Sequence, residues 1–169
     1  MDGVDAVASA TPLAMENDLP SYLDMFLGLR GGCIGETCIA AILLGGIYLI
    51  SLRIINPVTP VAFIGTAFLF TLALHEFDFM FALSLVLSGG LILGAVFMAT
   101  DPVTSARTEK GQFIYGFLIG VVAITVRVLN PGYPEGMMLA ILLMNMFAPL
   151  IDYVFVQRNI NMRLNRVKK

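Results

Sequence analysis

The chain has 169 residues, 58% of them apolar and only 13% charged, with a mean hydropathy of +0.87. Soluble domains hold roughly 45–50% apolar and about 25% charged residues, so a water-soluble globule is excluded and the bilayer is the expected solvent. The net charge of −2 conceals an asymmetry, with acids at the front and Arg158, Arg163, Arg166, Lys168 and Lys169 at the back; nothing here calls for a nucleic-acid partner.

Residues 1–36 read as an extramembrane segment. Asp2, Asp5, Glu16 and Asp18 fall in the first twenty residues with no Lys or Arg, the reverse of a basic leader before an apolar run. Cys33 and Cys38 have no companion cysteine, and His75 is the only histidine, so no zinc or iron–sulfur cassette is spelled out. Two small apolar residues near a helix entrance are the plain reading, a disulfide or a shared metal the alternatives, and no chemistry is assigned there.

Apolar windows then predict five membrane spans, over residues 38–52, 57–74, 79–98, 113–128 and 136–156, within a membrane domain of residues 37–156. Turn chemistry separates them: Asn56-Pro57 with Pro60, Asp101-Pro102, and Asn130-Pro131-Gly132 with Pro134. Gly45-Gly46, Gly89-Gly90-Gly94 and Gly116 with Gly120 predict close helix packing. Residues 157–169 form a basic tail.

Orientation follows from Lys and Arg near the span ends. An inside C-terminus puts Arg53, Arg107, Lys110 and the five tail cations on the cytoplasmic side and leaves only Arg30 and Arg127 toward the outside. The reading is a multi-pass bacterial inner-membrane protein, N-terminus periplasmic and C-terminus cytoplasmic. An odd number of spans beginning outside predicts that earlier helices precede Met1.

Several motifs then carry a family resemblance. Ala99-Thr100-Asp101-Pro102-Val103, Asn130-Pro131 with Tyr133-Pro134-Glu135-Gly136-Met137-Met138, Pro149-Leu150-Ile151-Asp152, and Ile34-Gly35-Glu36-Thr37 occur in order over nearly the whole chain. They resemble the C-terminal half of the NqrB/RnfD family, which includes the NqrB subunit of the sodium-translocating NADH:quinone reductase. The RnfD subunit of the Rnf-type electron-transport complex shares some of them; the Asn-Pro before Tyr133 and the basic tail after Asp152 favour the quinone reductase. The resemblance implies an all-α integral membrane fold, one five-helix half of an inverted-repeat, ten-helix protein.

Asp5-Ala6-Val7-Ala8-Ser9-Ala10-Thr11 is similar to the family's flavinylation motif, an Asp six residues before the acceptor threonine. The resemblance makes Thr11 the residue esterified to FMN by a flavin transferase, with Ala8 and Ser9 standing where the family more usually has Ser or Thr and Gly. It also implies a translocase component, inactive alone, that passes electrons toward ubiquinone with sodium export beside other subunits of the reductase. Riboflavin and ubiquinone are further ligands of the full-length family member, without residues assigned here. A cofactor-free channel or transporter half is the alternative from another class.

Three further positions are weighed on their own chemistry. Asp152 lies deep in the fifth span, where a carboxylate needs water, a partner or a proton; it is a candidate on a cation path, or an interfacial acid fixing Arg158. Arg127, beside the outer loop, is placed to pair with Glu135, to hold a flavin phosphate or to snorkel. Thr100-Asp101-Pro102 with Thr104 and Ser105 reads equally as a broken-helix ligand site and as a helix stop with a polar loop. His75, with Glu76 and Asp78 in an outer loop, receives no role.

Overall fold

Long apolar runs punctuated by glycine and proline fold here as helices. The computed structural model describes residues 22–29, 35–74, 78–129 and 136–167, and there is no strand among them. In chain order the helices are α1 (Tyr22–Leu27), α2 (Ile39–Ser51), α3 (Val58–Leu74), α4 (Phe79–Leu87), α5 (Leu91–Leu93) continuing into a π-helical segment (Gly94–Met98), α6 (Glu109–Leu129) and α7 (Met137–Val167). Two helices are long and apolar enough to cross a membrane, Glu109–Leu129 and Met137–Arg166, and a third span results if α4 and Leu91–Met98 are taken together. The 13 residues of α2 and 17 of α3 reach about 20 and 26 Å at 1.5 Å per residue, short of a hydrocarbon core of about 30 Å.

Apart from the short α1, which lies ahead of the first window, and an earlier start of α6 at Glu109, these helices occupy the five predicted windows with two larger differences. The span expected to run unbroken over 79–98 bends by 67° between Leu87 and Leu91. Ser88 is extended there, with φ −86° and ψ 147°, and Gly89 follows at φ +68°, a conformation glycine adopts without steric cost. The last helix runs eleven residues past its predicted end at Val156, because nothing from Gln157 to Val167 is glycine or proline. Its 31 residues reach about 46 Å, so the first part of the basic tail is helical.

The core is a seam between α3 and α6. A Cβ placed on Gly116 would lie 2.7 Å from the Thr59 carbonyl oxygen, and one on Gly120 would lie 3.0 Å from that of Phe63. Steps of four residues match along both helices, so the two run parallel with their backbones nearly touching. That is the small-residue contact expected where lipid gives helices no hydrophobic reason to associate. Phe63, Ala67, Tyr115, Ile119, Ala123 and Ile124 close this core. At Gly46 of α2 a Cβ would meet Val96 of the π segment at 2.7 Å, so α2 packs on the same principle.

Helix α7 runs antiparallel to α6 and is tied to it on both sides of its internal Pro149. Before the proline, the Tyr115 hydroxyl donates to Asn145 Oδ1; after it, Asp152 receives donors from residues 107 and 108. Hydroxyls elsewhere in the bundle bond back to their own helices, as Thr71 does to Ala67 O at 2.8 Å and Thr100 to Val96 O at 2.6 Å. In this way polar atoms find partners without water.

Candidate functional site

Polar side chains gather at the two ends of the bundle. At one end, the loops after α2 and after the π segment meet the start of α6 and border an open cavity of about 490 Å³. Its polar lining comes from Arg53, Asn56, Thr100, Ser105, Arg107 and Gln112. Arg53 stands where helices usually place glycine: its N–H bonds Ile50 O at 2.9 Å and the Ile54 N–H bonds Leu49 O at 3.1 Å, the two bonds of a Schellman cap. Its φ of +56° costs a non-glycine residue about 1 kcal/mol or more.

Asp152 sits just behind this cavity. Its Oδ2 accepts from Arg107 N at 2.7 Å, and its Oδ1 accepts from Thr108 N at 3.1 Å and from Thr108 Oγ1 at 2.7 Å. The carboxylate therefore caps the start of α6, where unpaired N–H groups and the helix dipole favour an anion. Gly111 makes room for it, since a Cβ there would lie 2.7 Å from Oδ1. A carboxylate offers about four acceptor positions, so three donors leave one position open.

Asp101, in the turn after the π segment, accepts from the Thr104 hydroxyl at 2.7 Å and the Thr104 N–H at 3.1 Å. The hydroxyl bond first, and the backbone bonds after it, hold this carboxyl below the ordinary aspartate range. Thr104 and Ser105 belong to this turn, and the helix-stop reading of the segment describes what Thr104 does.

The opposite end is organised by Arg127. The side chain is 7% exposed; its Nη1 donates to Leu85 O at 2.7 Å and its Nη2 to Ser88 O at 3.4 Å. Those carbonyls are the ones released where α4 ends and the chain bends. Glu36 is also buried, and its Oε2 would lie 2.9 Å from a Cβ on Gly90. Arg127 of α6 is therefore packed against the break in the 79–98 span, where it satisfies backbone carbonyls. Cys38 directs its thiol to Phe26 O at 3.8 Å.

Thr11 and Asp5 lie outside the described residues, as do Cys33, His75, Glu76, Asn130 and Glu135. The contact of Asp152 with the start of α6 left no local signal in the sequence, because its partners are 44 and 45 positions away. Gly111 in the first turn of α6 was the one hint that something packs there.

Known proteins resolve the relationship. The family described as NQR2, RnfD, RnfE matches residues 1–161. The chain belongs to this family. It is 47% identical over 154 residues to the NqrB-type subunit of the Na(+)-translocating NADH-quinone reductase of Chromohalobacter salexigens, covering 86% of this chain and 37% of that protein. The same subunit of Ectopseudomonas mendocina is 42% identical over 180 residues, covering 96% and 44%, and that of Azotobacter vinelandii 43% over 171 residues, covering 97% and 40%. The chain thus spans less than half the length of these family members. Membership agrees with the all-helical, membrane-type fold.

Proposed function

We propose that this chain is one five-helix half of the NqrB-type subunit of a sodium-translocating NADH:quinone reductase, carrying FMN on Thr11 and passing electrons toward ubiquinone with sodium export. What carries the reading is the family match over residues 1–161 together with relatives named as that subunit at 42–47% identity. The Asp5 to Thr11 string supports the attachment site by its likeness to the family's motif. FMN would supply one-electron chemistry; the protein supplies its placement and surroundings.

The part assigned to the described residues is positional. Arg127 holds the bend of the broken span through the carbonyls of Leu85 and Ser88. Asp152 holds α7 against the start of α6 and, with one acceptor position left, is proposed as a residue on the sodium path. The N-terminal segment lies in the periplasm, where the flavin transferase and the other subunits meet it, and the cation-rich end faces the cytoplasm of a bacterial inner membrane.

Fluorescence of the denatured chain after expression with a flavin transferase tests the attachment. A fluorescent band that goes dark in Thr11→Ala, with an FMN adduct located on Thr11 by intact-mass and peptide analysis, is the expected result. A colourless wild-type band removes the flavin reading. Because the family also covers Rnf proteins, assignment to an Rnf-type complex is the second reading. Sodium-stimulated quinone reduction in membranes favours the first, and electron transfer between ferredoxin and NAD the second.

A further inference from the structure

The cavity at the 53/107 end has a lining of its own, to which Asp152 does not contribute. Two arginines line it from separate loops, and no carboxylate lines it among the described residues. The neighbouring acids are already engaged: Asp101 by Thr104, and Asp152 by the backbone of residues 107 and 108. The Arg107 charge also acts on Asp152, and both Arg53 and Arg107 are exposed at the rim of the cavity. Asn56 spends its Oδ1 on the Val58 N–H at 3.2 Å, which leaves its NH2 group as a donor.

Arg53 adds a separate observation. The left-handed position that closes α2 is one where glycine would relieve the backbone, yet the chain places there a long cation at the mouth of a polar cavity. Surrounding apolar side chains, Leu52, Ile54 and Val103, are more than half exposed, as expected at the level where acyl chains give way to headgroups.

We propose that this cavity is a phosphate-binding site, in which the Arg53 and Arg107 guanidiniums clamp one phosphate group. Forked guanidinium donors match phosphate oxygens in pairs, and a site ringed by the ends of apolar helices lies where cationic residues meet anionic lipid. The phosphate comes either from an anionic phospholipid headgroup or from a free phosphate compound.

The test uses the full chain purified from its membrane with the subunits that accompany it. Binding is read by native mass spectrometry after exposure to phosphatidylglycerol or to phosphatidylcholine, and by phosphorus NMR line broadening with inorganic phosphate alone. Retention of phosphatidylglycerol over phosphatidylcholine, unaffected by millimolar inorganic phosphate, identifies the headgroup source. Broadening of the inorganic phosphate line, with displacement of the lipid, identifies the free source. In either case the Arg53→Gln, Arg107→Gln double variant weakens binding about tenfold or more. Arg53→Gly separates binding from folding, because it removes the guanidinium while relaxing the backbone; it should stay folded and bind weakly. Full binding by Arg53→Gly, equal binding by the double variant, or an equal loss in the tail variant Arg158→Gln overturns the proposal.

Discussion

The two ends of the bundle use arginine in opposite ways. Arg127 is buried and gives its nitrogens to carbonyls set free by a bend; Arg53 and Arg107 are exposed beside a cavity. What differs is the backbone around them. Where a span breaks inside the membrane, unpaired carbonyls each cost several kcal/mol, and a guanidinium with several donors is the side chain best able to meet two at once. Where helices end in ordinary turns, the backbone closes on itself, as α2 does through Arg53 N and Ile54 N. The charge is then left for something outside the chain.

The sharpest way to break this comparison is to remove the buried arginine. Arg127→Ala should cost about 3–5 kcal/mol, since it strips charged hydrogen bonds from two carbonyls and leaves Leu85 O only the Ser88 hydroxyl at 3.1 Å. It should appear as a large fall in thermal stability of the purified chain, whereas Arg107→Ala leaves the melting temperature nearly unchanged. Equal losses in the two variants would show that both ends rely on their arginines for folding. Next in size is Gly116→Val, which forces a side chain against the Thr59 carbonyl and should cost about 1–3 kcal/mol by overpacking, read in the same melt.

Asp152→Asn is expected to be milder, about 1–2 kcal/mol, because the amide keeps one acceptor for Arg107 N or Thr108 N while losing the charge. If Asp152 also lies on the sodium path, the sodium concentration for half-maximal turnover in the assembled complex should rise beyond what the lost stability explains. A stability loss without that shift would leave Asp152 as a helix cap alone. The smallest effect concerns Asp101. Its carboxyl is held below its unfolded value, so its contribution to stability is present above the unfolded pKa and is lost as pH falls through the lower, folded pKa. Thr104→Val should move the Asp101 titration upward toward an ordinary aspartate in an NMR pH series.

Helix identity was legible because apolar length and Asn-Pro, Asp-Pro and glycine punctuation are local properties. Each of the five windows holds helix, though α1 lies ahead of the first and the third is broken, and the Gly116 and Gly120 pair brings backbones together as expected. The break at residues 88–90 was hidden because Gly89-Gly90 reads the same whether glycine permits close packing or supplies a positive φ; only the bend decides. The site was legible in residue type more than in role. Asp152 and Arg127 both stand out as charges in apolar surroundings, but their partners lie about 40 positions away at the ends of other helices, and no spacing rule connects them. Arg53 passed as a topology marker, since nothing in Leu52-Arg53-Ile54 announces a left-handed residue.

The π-helical turn at Gly94–Met98 has its own consequence for how this part of the chain can vary. The Ala99 N–H reaches back five residues to Gly94 O at 2.7 Å, so the segment holds one residue more than an α-helical path needs. Such a surplus is a ready place for length change: losing one residue there lets the ladder revert to its usual four-residue step while the flanking packing stays in register. In a bundle whose α3 and α6 are locked by backbone contact, this short stretch is where a deletion could be absorbed instead of propagated.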